Sequence, residues 1–475
     1  MSMSLNRRRF LKTSAGTLGA LAVTNLACEK KVSPRNIQPN ILLIYADDLG
    51  YGDLSCYGGD IPTPNIDAIA DSGIRFTSFY VTSPACTPSR YSLLTGCFPH
   101  RSRGGLNKVY MPGDEIHFDP CEVTLAEYLK ALDYKTGIFG KWHMGKQKRQ
   151  YWPDQHGFDT FTGFPGGCID YYRHTYGPLG HDWVVDNEPQ HEEGYATDLI
   201  GTHADQFIRQ NAKKAEPFFT YIAFNAPHYG KSDPKDVPDN TCNLLTTTYQ
   251  GQKVMNTLQA PEKYLQKFSH IKNKARQYYC AMVAAMDDQV GRLLDTLEEL
   301  GIRENTMIWF ISDNGGYSET YEGHADNGKF RGEKATCYEG GIRIPAMVSW
   351  PGRIQSNQVR DQVLCNIDLV PTLAAITGFE TALNDKSIDG RNISDVLWYQ
   401  AQPDRELIYR YSDRVAYRKG DWKLVNESDL FNIANDPTES TNLVATHPEK
   451  LQHMLSAQKK FVKSLTPYTC KEQKG

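Results

Sequence analysis

The sequence has 475 residues, of which 40% are apolar and 23% charged, as in an ordinary soluble globular protein. This length predicts one large domain with a smaller one. The formal net charge of -4 excludes an overall positive field that would attract nucleic acid, so an anion site has to be a local cluster of positive side chains. The 11 cysteines are an odd number without C-x-x-C spacing, and they indicate neither a disulfide framework nor a zinc site.

The first 31 residues are typical of an export signal. The basic stretch R-R-R-F-L-K at residues 7–12 precedes an apolar run of small residues at 15–27, which is too short to span a bilayer. The pattern resembles a twin-arginine signal, which implies the twin-arginine translocase as a partner and a periplasmic or cell-surface location. The alternative is a disordered basic tail.

Cys28 follows the apolar run and resembles the acceptor of a lipoprotein signal. Asn25, three positions earlier, stands where such signals usually have Leu or Val. Cleavage without lipidation and an unprocessed anchor are the alternatives.

Three continuous apolar runs predict strands buried on both faces, as in a parallel sheet. They cover residues 41–45, 218–224 and 307–311, and each ends at polar, chemically capable residues. Helical patterns at residues 65–72, 125–132 and 275–300 alternate with them. This order predicts a doubly wound, mostly parallel α/β sheet flanked by helices, with the ligand site at the carboxyl ends of the strands.

The pattern changes near residue 395. Residues 414–425 alternate around Lys419-Gly420, which predicts a β-hairpin, and residues 448–465 read as a helix. We expect an export signal at 1–31, a large domain at 32–395 and, at 396–475, a C-terminal subdomain with a small antiparallel sheet and a helix.

Cys86 begins the segment C-T-P-S-R at residues 86–90. Pro88 suits the first turn of a helix that would stop near Gly96, which places Cys86 at a helix N-terminus that favours anions. Arg90 adds a positively charged guanidinium group on the next turn of the predicted helix. These local features predict an anion-binding helix start, and the alternative is a buried structural cysteine.

The same segment resembles the C-x-P-S-R signature of type I sulfatases, in which the cysteine is oxidised to formylglycine. Further segments resemble that family in the same order, from about residue 38 to residue 465. They are the opening strand and metal loop at 40–53, G-K-W-H-M-G at 140–145, D-N-G at 313–315, R-G-E-K-A-T-C-Y-E-G-G at 331–341 and the C-terminal signature within 429–443. The resemblance implies an alkaline-phosphatase-like fold with residues 32–395 as the catalytic domain.

The resemblance implies one Ca²⁺ ion, bound by Asp47, Asp48, Asp313, Asn314 and the modified Cys86. The chemistry agrees, because hard cations prefer carboxylate and amide oxygens, and these residues follow two predicted strands. A single Asp at such a position is more often a turn or helix cap.

The resemblance also implies the catalytic roles. The hydrated formylglycine at position 86 would attack sulfur, and Arg90 would stabilise its ionised form. The sulfate oxygens would bind Lys141 and Lys334. His143, which an extended segment would point the same way as Lys141, would contact the formylglycine and act as a base in sulfate release, and His228 would be the general acid for the leaving oxygen. The modification implies a formylglycine-generating or anaerobic sulfatase-maturing enzyme as a partner.

Two positions depart from the family pattern. Tyr229-Gly230 follows His228 where a proline is frequent, and Ala335 follows Lys334 where a glycine is common. Both departures bear on the loop geometry and on the contacts to the leaving group, and neither removes a catalytic group.

The expected substrate is a sulfated carbohydrate, an oligosaccharide from a polysaccharide of algal or animal-matrix type. This follows from the export signal, from the resemblance of the central region to glycan-acting enzymes, and from Trp183 and residues 170–174, which suit a cleft that binds hydroxyl groups. The wider segment 166–174 either lines the pocket or is a packed loop. The alternatives are a phosphate-ester or phosphonate hydrolase of the same superfamily and an inactive relative that binds sulfated glycans.

Overall fold

A mixed, mostly parallel sheet of 11 strands forms the centre of the molecule. The computed structural model describes residues 38–318, 324–384, 387–399, 405–468 and 470. The predicted export signal, with Cys28, lies outside these residues.

The strands are numbered in chain order. They are β1 (Asn40–Asp47), β2 (Gly73–Tyr80), β3 (Lys135–Lys141), β4 (Thr160–Phe164), β5 (Val184–Val185), β6 (Glu188–Pro189), β7 (Phe218–Pro227), β8 (Gly230–Ser232), β9 (Thr241–Tyr249), β10 (Gln252–Gln259), β11 (Thr306–Ser312), β12 (Arg343–Ser349), β13 (Gln358–Arg360), β14 (Leu364–Cys365), β15 (Glu406–Tyr411), β16 (Arg414–Lys419), β17 (Trp422–Val425) and β18 (Asp429–Asn432).

The α-helices are numbered in the same way. They are α1 (Pro64–Asp71), α2 (Cys86–Thr95), α3 (Leu125–Lys130), α4 (Ala196–Asn211), α5 (Glu262–Lys267), α6 (Lys274–Glu299), α7 (Glu339–Ile342), α8 (Leu369–Thr377), α9 (Ser394–Tyr399) and α10 (Pro448–Ser464).

The large sheet has the order β13-β2-β12-β11-β1-β7-β3-β4-β5-β6, with β14 beside β2. The five strands from β11 to β4 run parallel, whereas β12 pairs antiparallel with both β11 and β2. The predicted mostly parallel α/β sheet flanked by helices is therefore confirmed.

The central strand β1 is buried on both faces, as its continuous apolar sequence predicts. Leu43 and Tyr45 belong to a core on one face of the sheet, and Leu42 and Ile44 belong to a second core on the other face, where α6 packs. All three predicted apolar strands and all three predicted helices form, with ends that differ by at most three residues.

The C-terminal sheet is a four-stranded antiparallel meander, β15-β16-β17-β18. The predicted hairpin is the β16–β17 pair, and the predicted helix is α10. Ile408 and Phe431 of this sheet belong to the same core as Leu43, so the small sheet packs directly on the large one.

The cysteine expectation is wrong for one pair. Cys121 and Cys470 form a disulfide with 5.6 Å between their Cα atoms. The pair is 349 residues apart in sequence, and a link of this length leaves no spacing signal. None of the helices in the described ranges is long and apolar enough to cross a membrane.

Candidate active site

The carboxyl ends of β1 and β11 bring four oxygen-bearing side chains together. Asp47 ends β1 and Asp48 follows it with a φ of 63°, while Asp313 and Asn314 follow β11, the parallel neighbour of β1. The Asp48 backbone N–H donates to Asp313 Oδ1 at 3.1 Å, and Asn314 Nδ2 donates to Asp48 Oδ1 at 2.7 Å. The structure thus places four of the five predicted metal ligands in one buried group.

Three cations face these carboxylates. Lys141 Nζ lies 2.7 Å from Asp47 Oδ2, Lys334 Nζ lies 2.6 Å from Asp48 Oδ1, and Arg90 Nη2 lies 2.8 Å from Asp313 Oδ2. All six charged side chains are buried. We refer to the following set as the strand-end cluster: Asp47, Asp48, Arg90, Lys141, Asp313, Asn314 and Lys334.

Two oxygens of the strand-end cluster lack a hydrogen-bond donor. They are Asp47 Oδ1 and Asn314 Oδ1, both buried. Burial of a hydrogen-bond acceptor without a donor is unfavourable in free energy. A cation that binds to such an oxygen removes this cost. Oxygens of Asp47 and Asp313 and the sulfur of Cys86 lie within 4.8 Å of one another. Carboxylate and amide oxygens are the ligands that Ca²⁺ prefers, so the residues fit this ion.

Burial and mutual charge act in opposite directions on these carboxylates. Burial raises the pKa of Asp47, but Lys141 and Arg90 outweigh it and hold that pKa well below its usual range. Burial and the nearby charge of Asp47 raise the pKa of Asp313 to about 7. Like charges crowded in a dry site repel one another, and a divalent cation would relieve this repulsion.

Cys86 is the first residue of α2, as predicted, and the helix ends at Gly96, which has a left-handed φ of 72°. Pro88 and Arg90 both belong to the buried helix. Burial raises the pKa of the Cys86 thiol, while the charges of Lys141 and Lys334 lower it. The side chain lines a cleft of about 210 Å³ beside the strand-end cluster.

His143 lies in the same cleft, but not for the predicted reason. Strand β3 ends at Lys141, and His143 has a left-handed φ of 61°, so no extended segment joins the two side chains. His143 Nε2 donates to the Tyr110 carbonyl at 2.9 Å, which leaves the buried Nδ1 as an acceptor without a partner. Burial and the charge of Lys141 hold the pKa of His143 well below its usual range, so the ring is a neutral base.

His228 lies just beyond β7. Its Nδ1 donates to the Tyr229 carbonyl at 2.7 Å, and its Nε2 lies 3.5 Å from Asp48 Oδ2. Burial and the charge of Lys334 hold the pKa of His228 well below its usual range. Because of its contact with Asp48, the Nε2 nitrogen of His228 faces the strand-end cluster.

The segment 166–174 divides between two roles. Gly167 and Cys168 line the cleft, whereas Asp170 is buried and accepts hydrogen bonds from Ser232 and Gln259 Nε2. Residues 171–174 do not line this cleft.

The prediction that Trp183 faces the cleft is wrong. Trp183 is 1% exposed, stacks on His174 and donates its indole N–H to Glu192. Both aromatic groups complete a core, which is where most large aromatic side chains lie.

The aromatic lining of the cleft comes from residues that sequence reasoning missed. Six tyrosines from separate parts of the chain surround it: Tyr110, Tyr176, Tyr229, Tyr249, Tyr317 and Tyr411. Lys231, on β8, was missed as well. Tyr229 follows His228 and Tyr317 lies two residues after the D-N-G segment, and these two positions are the sequence signals that pointed to the lining.

Ala335 adopts a φ of 67°, a conformation that favours glycine. Its N–H donates to the Pro84 carbonyl at 2.8 Å, which ties the Lys334 loop to the segment before Cys86. Lys334 still contacts Asp48 in this loop, and the departure from the family pattern places an alanine in a strained conformation.

A mostly parallel α/β sheet carries oxygen ligands, basic side chains and a helix-start cysteine at one cleft. This arrangement defines a hydrolase for esters of an oxyanion. The family model described as Sulfatase matches residues 39–379, and a model described as N-sulphoglucosamine sulphohydrolase, C-terminal, matches residues 328–465. The chain belongs to the sulfatase family and is a sulfuric ester hydrolase, which sets the phosphate-ester alternative aside.

Three relatives illustrate the similarity. Human N-acetylgalactosamine-6-sulfatase is 31% identical over 86% of this chain and 77% of its own length. Rat steryl-sulfatase is 28% identical over 90% of this chain and 82% of its own length. The crystal structure of Ps i-CgsB in complex with k-i-k-neocarrahexaose is 31% identical, with a TM-score of 0.78 over 92% of this chain and 96% of that one.

Proposed function

We propose that this protein removes sulfate from a sulfated carbohydrate, using a formylglycine made from Cys86 and a Ca²⁺ ion bound by the strand-end cluster. The observation that carries the carbohydrate assignment is the cleft lining. Six tyrosines and Lys231 surround the opening, whereas its aliphatic lining is limited to short stretches such as Val109 and Met111. Tyrosine rings stack on sugar faces and their hydroxyls bond to sugar hydroxyls.

The relatives support this choice without deciding it. One is named for a sulfated N-acetylgalactosamine and one is bound to a neocarrahexaose, but another is named as a steryl-sulfatase. A sterol requires a wide apolar surface, which polar tyrosine edges and a buried ammonium group do not provide.

The charges of the strand-end cluster suit an anionic ester. Asp47, Asp48 and Asp313 balance Arg90, Lys141 and Lys334, so a bound Ca²⁺ leaves two positive charges in the site. A sulfate monoester and an ionised nucleophile together carry two negative charges. The loaded site is therefore close to neutral, which a buried cluster requires.

Asp47, Asp48, Asp313 and Asn314 would hold the Ca²⁺ ion, which supplies Lewis-acid stabilisation of negative oxygen. Formylglycine at position 86 supplies the hydroxyl of its hydrate as the nucleophile. Lys141 and Lys334 hold the sulfate oxygens, and Arg90 faces the nucleophile from one turn along α2. The free Nδ1 of His143 accepts a proton. His228 Nε2 faces the same site and would donate a proton to the leaving oxygen once it is protonated, a state that the negative charge of a bound sulfate ester favours.

The test is a panel of carrageenan, ulvan, fucoidan and glycosaminoglycan oligosaccharides beside an aryl sulfate and a steryl sulfate. The matured protein in calcium buffer should release sulfate from at least one glycan. The variant Cys86→Ala, purified in parallel, controls for contaminating sulfatases. Rapid hydrolysis of the aryl or steryl sulfate without desulfation of any glycan would contradict the carbohydrate assignment.

The proposal includes export by the twin-arginine translocase, a route that carries folded proteins. Maturation of Cys86 by a formylglycine-generating or anaerobic sulfatase-maturing enzyme would then precede export to the periplasm or cell surface. Replacing Arg7 and Arg8 by Lys should trap active protein inside the cell. Unchanged export of that variant would contradict the route.

A further inference from the structure

Lys231 is a buried cation without an acidic partner. The residue is 2% exposed, and in the described part of the chain no carboxylate lies within ion-pair distance of its ammonium nitrogen. The other two buried lysines of the site differ, since Lys141 and Lys334 each pair with an aspartate. A buried charge without a counter-ion is unfavourable, so its retention in a cleft indicates a ligand of opposite charge.

The surroundings of Lys231 leave room for such a ligand. The ammonium nitrogen lies 5.0 Å from the ring centre of Tyr229, 4.9 Å from that of Tyr249 and 5.8 Å from that of Tyr176. These rings attract the cation weakly and accept none of its three hydrogens through strong hydrogen bonds. Lys231 and all three tyrosines line the cleft that contains Cys86.

Asn256 adds a second unsatisfied donor. It lies opposite Lys231 in the β8–β10 pairing, and its Oδ1 accepts the one hydrogen bond that the structure gives the ammonium group, at 2.5 Å. Because lysine only donates, the amide oxygen has to face Lys231, which fixes Nδ2 as a donor. That Nδ2 is buried and has no hydrogen-bond partner among the described residues.

The position is close to the reacting centre. Cys168 has its sulfur 3.8 Å from His228 Nδ1. Cys168, His228 and Lys231 line the same cleft of about 210 Å³ as Cys86 and Lys334, so Lys231 shares one small cleft with the sulfate-binding residues.

We propose that Lys231, which Asn256 holds in place through a hydrogen bond, forms a second anion subsite, which binds an additional sulfate or carboxylate group on the sugar chain while the scissile sulfate occupies the strand-end cluster. This inference rests on the proposed carbohydrate function. It makes the enzyme selective for substrates with two neighbouring anionic groups. The tyrosine rings around Lys231 would pack against the sugar that carries the second group.

The experiment uses two substrate pairs whose members differ by one anionic group. The first pair is two carrageenan oligosaccharides of equal length, one of which has an extra sulfate on the sugar next to the scissile ester. The second pair is a chondroitin 6-sulfate oligosaccharide and the same compound with its carboxylates reduced to alcohols. The first pair tests sulfate as the second anion, and the second pair tests carboxylate.

The measured quantity is the ratio of kcat/KM within each pair. Both members are assayed on one protein sample, so the ratio does not depend on the matured fraction. The wild type should prefer the more anionic member of at least one pair by about tenfold or more, the effect of one charge-assisted hydrogen-bonded contact. Lys231→Met, which keeps an unbranched stem among the tyrosines, should bring this ratio close to one.

A second variant covers the case in which Lys231→Met folds poorly. Asn256→Asp keeps the lysine and the side-chain shape, but its carboxylate neutralises the ammonium group and repels a second anion, so the preference should disappear as well. Lys253→Met is the matched control, because it removes an exposed lysine from the same strand as Asn256 and should keep the wild-type ratio.

The outcomes separate the two proposals. A wild type that desulfates glycans without preference in either pair, or a Lys231→Met enzyme that keeps the full preference, would overturn the second subsite alone. A wild type that hydrolyses aryl or steryl sulfate and no glycan would overturn the carbohydrate function, and the subsite with it.

Discussion

Two buried networks of alternating charge among the described residues can be compared, and they differ in their position relative to the active-site cleft. The strand-end cluster contains two oxygens without a hydrogen-bond donor and borders a cleft. The second network, formed by Glu339, Lys423 and Glu439, joins the C-terminal sheet to the catalytic domain. We call it the inter-sheet cluster.

In the inter-sheet cluster one ammonium group lies between two carboxylates, and none of the three residues lines the cleft that contains Cys86; Glu439 Oε1 accepts no hydrogen bond but lies at ion-pair distance from Lys423. Lys423 Nζ lies 2.8 Å from Glu339 Oε1 and 2.8 Å from Glu439 Oε1, and the Glu339 N–H donates to Glu439 Oε2 at 2.6 Å. Tyr80 donates its hydroxyl to Glu339 Oε2 at 2.7 Å. Burial raises the pKa of Glu339, but Lys423 and Arg343 outweigh it and lower that pKa to about 2.

The difference teaches how a functional cluster of buried charges is distinguished from a structural one. Both networks contain residues of family motifs, and both contain strongly shifted pKa values. In the strand-end cluster, the unpaired amide oxygen of Asn314 and the position beside the cleft mark the site that needs a metal and a substrate. In the inter-sheet cluster, one lysine that pairs with two carboxylates away from that cleft marks a network that holds two sheets together.

Loss of a metal ligand should have the largest effect. Asp313→Ala removes a calcium oxygen and leaves Arg90 without its partner, so kcat/KM should fall by more than ~10³-fold, the several kcal/mol that a catalytic metal supplies. Elemental analysis after dialysis should find about one calcium in the wild type and none in the variant. Chelation with EDTA should inactivate the wild type, and added calcium should restore it.

Asp313→Asn tests the same point with the side-chain shape preserved. Asp295→Ala, on the exposed face of α6, is the control and should keep both calcium and activity. Stoichiometric zinc without calcium in active protein would contradict the metal assignment.

Breaking the inter-sheet cluster should affect stability and leave the chemistry intact. Lys423→Met leaves the buried Glu439 without its cation and Glu339 with Arg343 alone, which should lower the free energy of unfolding by about 3–5 kcal/mol. Lys419→Met removes a half-exposed partner of Glu406 from the same sheet and should cost less than about 1 kcal/mol. Urea unfolding measures both values, and a Lys423→Met protein as stable as Lys419→Met would show that the network is not structural.

A smaller effect is expected at Gly167, where the position of His143 requires a residue without a side chain. A Cβ on Gly167 would lie 2.2 Å from His143 Nε2, which bonds to the Tyr110 carbonyl. Gly167→Ala should therefore displace the imidazole and lower kcat by about 10²-fold, the usual cost of a misplaced catalytic group. In a His143→Ala background the same change should have little further effect, and additive losses would show that Gly167 acts elsewhere.

The smallest effect concerns the Lys334 loop. Ala335→Gly removes the strain of a left-handed alanine and should raise the free energy of unfolding by about 0.5–1 kcal/mol. Ala457→Gly, inside α10, should do the opposite by about 1 kcal/mol. Thermal unfolding checks both signs, and destabilisation by Ala335→Gly would mean that the loop is not strained.

The strand-end cluster was predictable because its residues directly follow strands or occur in motifs. The apolar runs before Asp47 and Asp313 indicate the carboxyl ends of two parallel strands, where the side chains that follow lie close together. Cys86 begins a helix whose start and end the sequence indicates. The inter-sheet cluster was not predictable in the same way. Glu339 and Lys423 are far apart in sequence, and no local pattern encodes their contact.

The cleft lining was the least predictable part. Its tyrosines come from separate loops and from two of the strands, so the aromatic segment that sequence reasoning selected, with Trp183, lies in the core instead. Lys231 has no motif at all. Its importance appears only when the burial of its ammonium group and the absence of a nearby carboxylate in the described residues are seen together.

The most direct test of the account is the chemical state of residue 86 in active protein. Trypsin cleaves after Arg75 and Arg90 and releases the peptide 76–90, which mass spectrometry can weigh with and without an aldehyde-specific reagent. The account predicts that this peptide carries an aldehyde in place of the thiol, in a fraction that rises with specific activity across preparations. Full sulfatase activity from protein whose Cys86 is entirely an unmodified thiol would contradict it.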